Sequence, residues 1–494
     1  MTLGPNLTVA ALCAGALLAA PPAMHAQGGQ VGSAVPRPTI EMLLGTAKAS
    51  LPDAPSELAA PYLLEIGRTE AMRARPGKSQ PGLDDMARAF DQALQLSGGD
   101  EDTPQAKFRS HIKQFVEGRA VIFTAMLDRQ QALALVRRAD TPRASLYDTL
   151  LYGEGVSTRL EHKAPVLDVL AVVGECLRSG AFPYRGVTEL IQDDAIPVDE
   201  RLTLARMEVQ YAGSDTLDDY ELLNAPNALI RIHSTFPQMD GQTVDAATNI
   251  LRLFDKIALG GKMAAGAARR NGTFLLSSLQ QMDSSRAAEL ATTYPEFVAS
   301  SATTASSDAL FGALHKEKLA AAQDLPAVPP ESAGSAMRFA AYAQRAQLLL
   351  KKSPAQSLDN AERAASLATP DLLSQDGMDE AVLQLAATFK TLGIPGRADE
   401  LLGRALDALA ASDLAREKAF REGDSQATQS FLEQQAGASD GEIWKALVLA
   451  DRVNFPLTAR RVLAWPGEIT RIAALVGAAW GDAPNPNSIR PNRN

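Results

Sequence analysis

Apolar residues recur along this chain every three to four positions rather than every second one. Ile112, Phe115, Val116, Phe123, Met126 and Leu127 fall on one stripe, and Leu202, Leu204, Ala205, Met207 and Tyr211, with Glu208 among them, form part of another. That spacing belongs to helices with one buried face, and strand-like alternation is scarce. Thr141-Pro142, Ser353-Pro354 and Thr369-Pro370 each place a hydroxyl before a proline. The hydroxyl can accept a hydrogen bond from a free N–H of the first turn, where the missing N–H of proline costs nothing. The pattern predicts helical hairpins in series. It breaks most clearly from Ala321 to Ser335, where Gln323-Asp324-Leu325-Pro326 and Pro329-Pro330 interrupt it, and to a lesser degree from Ser300 to Ser307. Two helical domains are therefore expected, 39–320 and 336–480, joined by a linker at 321–335.

The best-patterned stretch is 379–412. Counted as a unit of about 34 residues, it places Val382, Leu385, Ala386, Phe389, Ala398, Leu402 and Ala405 in the packing positions of two facing helices. The alanines let the helices approach while Leu385, Phe389 and Leu402 fill the space between them. Leu392-Gly393 ends the first helix and Pro395 opens the second. This resembles a tetratricopeptide repeat, with Val382 where the family usually has Trp and Ala410 where it often has Pro. A degenerate copy at 339–372 carries Tyr342, Ala346, Leu349, Leu358, Ala365 and Pro370, with Arg345 and Glu362 in apolar positions. From Leu83 to Leu96 only a second helix is matched, through Phe90, Ala93 and Leu94, after a turn disrupted by Pro76, Gly77 and Pro81. An ordinary amphipathic helix pair is the other reading of these residues. The resemblance implies an all-α fold, an α-solenoid of antiparallel helical hairpins that is tetratricopeptide-like in its C-terminal part. It also implies that the first helix of each pair lines a concave binding face. Polar residues there, Gln384, Thr388 and Lys390 with Gln344 and Gln347 of the preceding unit, are the candidate partner contacts.

Composition agrees with a folded helical protein: 46% of residues are hydrophobic, 21% charged and only 5% aromatic. Leu7 to Ala20 is an apolar run too short to span a bilayer comfortably, and small residues lead from it to Ala26-Gln27. Residues 1–26 read as a signal peptide, although the n-region lacks Lys or Arg and Met24 sits three places before the scissile bond. A Gly/Pro linker at 27–38 follows, and a disordered Pro/Asn tail is expected at 481–494. The chain is expected to be periplasmic or secreted, with no integral membrane segment after cleavage. The net charge of -10 and the scattering of basic residues into pairs such as Arg137-Arg138 and Arg460-Arg461 speak against nucleic acid as a partner. After signal cleavage only Cys176 remains, so no intramolecular disulfide can form, and its apolar neighbours suggest a buried thiol.

No catalytic or metal constellation emerges. His111, His162, His233 and His315 are widely spaced, Asp100-Glu101-Asp102 lacks the alternating ligands of a calcium loop, and Gly260-Gly261-Lys262 lacks the earlier glycine and the Ser/Thr of a phosphate loop. No cofactor is expected. Glu331-Ser332 resembles the catalytic Glu followed by Ser of lytic transglycosylases, in which a helical superhelix accompanies the catalytic domain. The resemblance stops at those two residues, and Pro329-Pro330 put Glu331 in a solvated linker, whereas proton donation to a glycosidic oxygen needs a partly apolar pocket. The expected function is an exported helical-repeat scaffold that binds a protein or peptide in the cell envelope without catalysis. The alternative is a cell-wall-directed hydrolase, lytic transglycosylase-like, or its helical accessory domain.

Overall fold

Alanine, leucine and straight-chain polar residues fill the stretches between the glycines and prolines of this chain, and such residues lose little side-chain freedom in a helix. In a computed structural model the described residues form helices, short 3₁₀ turns and connections, and no strand. The structure describes residues 37–74, 78–96, 104–139, 143–214, 217, 219–259, 265–298, 325, 327–373, 378–422, 425–436 and 442–481. The expected signal peptide, nearly all of the linker at 27–38 and of the tail, the first part of the 321–335 linker, Thr141-Pro142, Asp100-Glu101-Asp102, Gly260-Gly261-Lys262 and His315 lie outside them.

Among the described residues, thirteen α-helices precede the 321–335 segment. They are α1 (Ile40–Ser50), α2 (Ser56–Arg73), α3 (Gln80–Leu94), α4 (Pro104–Ala125), α5 (Arg129–Val136), α6 (Arg143–Glu161), α7 (Val169–Arg178), α8 (Tyr184–Ile191), α9 (Val198–Ala212), α10 (Asp219–Thr235), α11 (Asp240–Leu259), α12 (Ala265–Met282) and α13 (Ser284–Thr293). After it come α14 (Ser335–Leu349), α15 (Pro354–Leu367), the single turn α16 (Pro370–Leu373), α17 (Met378–Thr391), α18 (Pro395–Arg421), α19 (Ser425–Ala436), α20 (Glu442–Leu463) and α21 (Glu468–Trp480). Most pack mainly on their near neighbours in sequence, as short connections require, whereas α1 packs chiefly on α21. Helices α2 and α3 approach closely: a Cβ on Gly67 would lie 2.7 Å from the carbonyl oxygen of Gly82, so glycine lets the backbones meet there.

The α17–α18 hairpin is built as its packing positions suggest. Val382, Leu385, Ala386, Phe389, Ala398, Leu402 and Ala405 are all buried. Gly393 takes the left-handed conformation at φ +80°, and the N–H of Ile394 donates to the Phe389 carbonyl at 3.0 Å, closing α17 before Pro395 starts α18. Helix α18 does not stop near Ser412, as a repeat of this length requires. It continues to Arg421, because Ala408 to Arg421 contains neither glycine nor proline. Within 339–372 the polar residues Arg345 and Glu362 find partners. Arg345 Nε donates to Asn360 Oδ1 at 3.1 Å, and Glu362 pairs with Arg397 of α18 at 3.1 Å. Thr369 Oγ1 accepts from the N–H of Leu372, whereas the Ser353 hydroxyl makes no capping bond despite its place before Pro354.

The expected division at 321–335 does not separate two cores. From Ile472 to Trp480 helix α21 is apolar on every side, and those residues are all buried. A helix of that kind must be covered all round. Helix α20 covers one side, and the N-terminal helices α1 and α2 cover another, so Pro38 onward forms one compact unit. Polar contacts reinforce the junction. Arg73 Nη1 donates to the Trp480 carbonyl at 2.7 Å, the Arg68 guanidinium lies between the rings of Phe123 (4.1 Å) and Trp480 (4.3 Å), and Tyr62 Oη donates to Gln435 Oε1 at 2.8 Å.

Candidate interaction face

Helices α14 and α17 pack together, which brings the two sets of candidate contacts into one neighbourhood. Gln344 and Gln347 are exposed on α14, and Gln384 and Lys390 on α17. Gln347 Nε2 donates to Gln384 Oε1 at 3.4 Å across the helices, and Gln384 Nε2 donates to Glu380 Oε1 at 3.2 Å within α17. Lys390 is drawn to the far end, where its ammonium donates to the Arg452 carbonyl of α20 at 2.5 Å. Thr388 does not belong to this surface. It is only 4% exposed, and its hydroxyl donates to the Gln384 carbonyl at 3.0 Å, one turn back along its own helix. Position 388 directly precedes Phe389, which packs into the hairpin, and the buried arc of α17 is wide enough to take in both residues.

The face is thus a short polar row running from α14 onto α17. A glutamine amide both donates and accepts, so the row can match a peptide backbone or another amide side chain. Glu380 and Arg452 are additional members. Glu380 was detectable from its spacing, four residues before Gln384, which places both on one helical face. Arg452 contributes through its backbone and left no signal in the sequence.

Ionisable groups are also buried, where the sequence shows only polar residues on helices. On α18, Asp413 and Glu417 sit one turn apart and are 1% and 3% exposed. On α9, Glu208 is fully buried and accepts from the Thr188 hydroxyl of α8 at 3.1 Å. Burial, and then the nearby charge of Asp148, holds its carboxyl well above the usual range. Asp148 itself accepts from the N–H of Gly186 at 2.8 Å, which fixes α6 against α8. These acids make hydrogen bonds that join helices, and the described residues include no group of three side chains able to hold a metal ion.

The remaining residues singled out in the sequence lie apart from these. Glu331 is exposed in a turn before α14. Cys176 is buried in α7, and burial pushes its thiol up to about 12. His111 and His162 are exposed, and His233 Nδ1 lies 2.8 Å from Asp240 Oδ1. Compared with known protein families, characterised proteins and solved structures, the chain matches none.

Proposed function

We propose that this protein is an exported α-solenoid scaffold that binds a protein or peptide partner of the cell envelope through the polar row on α14 and α17. The reading rests chiefly on one observation: Gln347 and Gln384, from successive hairpins, meet side by side while both remain exposed. Hairpins stacked in series give each repeat a surface helix of the same kind, and side chains at matching positions then line up along one face. Neutral amides on such a face can pair with peptide N–H and C=O groups, and they bring no charge that must be desolvated. The binding residues in this reading are Gln344, Gln347, Gln384 and Lys390. The short apolar N-terminus supports export, and the negative net charge supports a partner other than nucleic acid.

A photo-crosslinking amino acid placed at Gln344 or Gln384 of the full chain, expressed in its own cell, tests this reading. A discrete adduct with an envelope protein is expected, and it should weaken when Gln347 and Lys390 are replaced by alanine. Absence of any adduct at both positions, from a protein that reaches the envelope intact, would remove this face from consideration. Retention of the chain in the cytoplasm would overturn the export half of the proposal.

A further inference from the structure

The junction between the N-terminal and C-terminal helices turns on the two acids of α18, and their surroundings differ sharply. Glu417 is fully engaged at the N-terminus of α21. Its carboxylate accepts from the N–H groups of Glu468 (3.1 Å), Ile469 (3.1 Å) and Thr470 (3.2 Å) and from the Thr470 hydroxyl (3.3 Å). Arg421 adds an ion pair at 2.9 Å. These donors and the helix dipole favour a negative charge there. A Cβ on Gly467, just before the helix, would lie 2.5 Å from Glu417 Oε2, so a larger residue there would have to displace the carboxylate.

Asp413 has no comparable support. Its Oδ2 accepts from Trp465 Nε1 at 3.3 Å, its Oδ1 accepts no hydrogen bond among the described residues, and the nearest cation, Arg416 Nη1, stands 3.9 Å away. The groups facing it come from every side of the junction. Arg416 and Glu417 lie on its own helix, Asp379 on α17, the Tyr62 phenol on α2, and the Trp465 indole between α20 and α21. Only one of these groups carries a positive charge.

We propose that Asp413 is a proton-operated switch in the joint between α2 and α21: protonated, it is neutral and the joint is tight, and ionised, it sets a second negative charge beside Glu417 and loosens the joint. Burial pushes the Asp413 carboxyl up to about 7; Arg416 and the Trp465 indole oppose that rise, and Glu417 and Asp379 add to it. An unfolded aspartate titrates near 3.9. The folded value lies above it, so the folded state holds the extra proton between the two. The stabilisation from Asp413 is fully present below about 4 and is lost as pH rises through about 7. Glu417, held by the three N–H groups and the hydroxyl at the start of α21, keeps that helix end anchored beside Asp413.

Hydrogen exchange of the full chain between pH 5.5 and 8.5, corrected for the intrinsic pH dependence of exchange, reads the joint directly. Amides of α2 and of the first turns of α21 should lose protection by roughly tenfold or more across neutral pH, in keeping with a shift of more than one pKa unit. Amides of α11 and α12, which pack away from the joint, report any general loosening and normalise the comparison. Asp413→Asn should give a profile without this transition. Arg416→Gln, at a partly exposed position, should move the midpoint upward, and it decides the matter if the asparagine variant does not fold. A flat wild-type profile at the joint, an unchanged midpoint in Asp413→Asn, or an unmoved midpoint in Arg416→Gln would each overturn the proposal.

Discussion

Leu385 and Phe389 differ from Gln347 and Gln384 in what surrounds each side chain, and their expected mutational effects separate accordingly. Leu385 and Phe389 are almost wholly enclosed between α17, α18 and their neighbours. Replacing either by alanine removes packed atoms and leaves a cavity, so chemical denaturation should show a loss of about 2 to 5 kcal/mol. Alanine at Gln347 or Gln384 should change stability by less than about 0.5 kcal/mol, since exposed amides away from caps and cores contribute little. A large loss at either glutamine would show that the polar row supports the fold rather than presenting a surface. Cys176 supplies a separate check. Its thiol is buried and held near 12, so it should resist a disulfide reagent at pH 8 and react fully once the chain is denatured. Rapid labelling of the native protein would mean that α7 opens readily. Residue-level reading worked for the apolar positions of 379–412 because size and spacing alone decide which of them can pack. It failed at Thr388, because the width of a buried arc depends on how many neighbours surround the helix.

Among the elements, α20 and α21 show most clearly how local signals and tertiary packing divide the work. Helix α20 is interrupted at Asn454, whose backbone leaves the helical region at φ -156° and ψ 92°. The Asn454 carboxamide oxygen accepts from the N–H of Leu457 at 3.2 Å, and its amide nitrogen donates to Asp399 Oδ1 at 2.8 Å, so this residue caps the second half and ties it to α18. Pro456 stands close behind, where a first turn tolerates it. Asn454→Ala should cost about 1 kcal/mol through the lost cap, visible as a lower denaturation midpoint, and an unchanged midpoint would mean that Pro456 alone sets the kink. Glu417→Gln keeps the shape of the side chain at the start of α21 but removes its charge. Hydrogen bonds to a charged acceptor exceed neutral ones, so a loss of about 1 to 3 kcal/mol is expected. The α17–α18 hairpin was legible because Gly393 and Pro395 mark its turn within a few residues. The long run of α18 beyond Ser412 was legible only as an absence of breakers, which a repeat-based reading overlooked.

For the whole molecule, the important contact joins the two ends of the described chain. Helices α1 and α2 cover the apolar side of α21 that α20 leaves open, and Arg73 and Arg68 reach its last residue. A fragment spanning 335–481 would leave this side of α21 in water, and the loss of buried apolar surface weighs heavily in a marginally stable fold. Such a fragment should be poorly soluble or lack a cooperative transition, and supplying residues 38–298 in the same cell should rescue it. A cooperative, soluble fragment would show that the junction is dispensable. By itself the amino-acid sequence determined the helical class and the position of the turn in the α17–α18 hairpin. Those features depend on spacing, turn residues and side-chain size within a few tens of residues. Only the tertiary structure decided that α21 is a central helix, that one core runs through both spans, and that Asp413 and Glu417 are buried with different partners. An apolar helix shows in sequence that it must be covered but not by what, and an acid on a helix looks solvated until a distant segment packs over it.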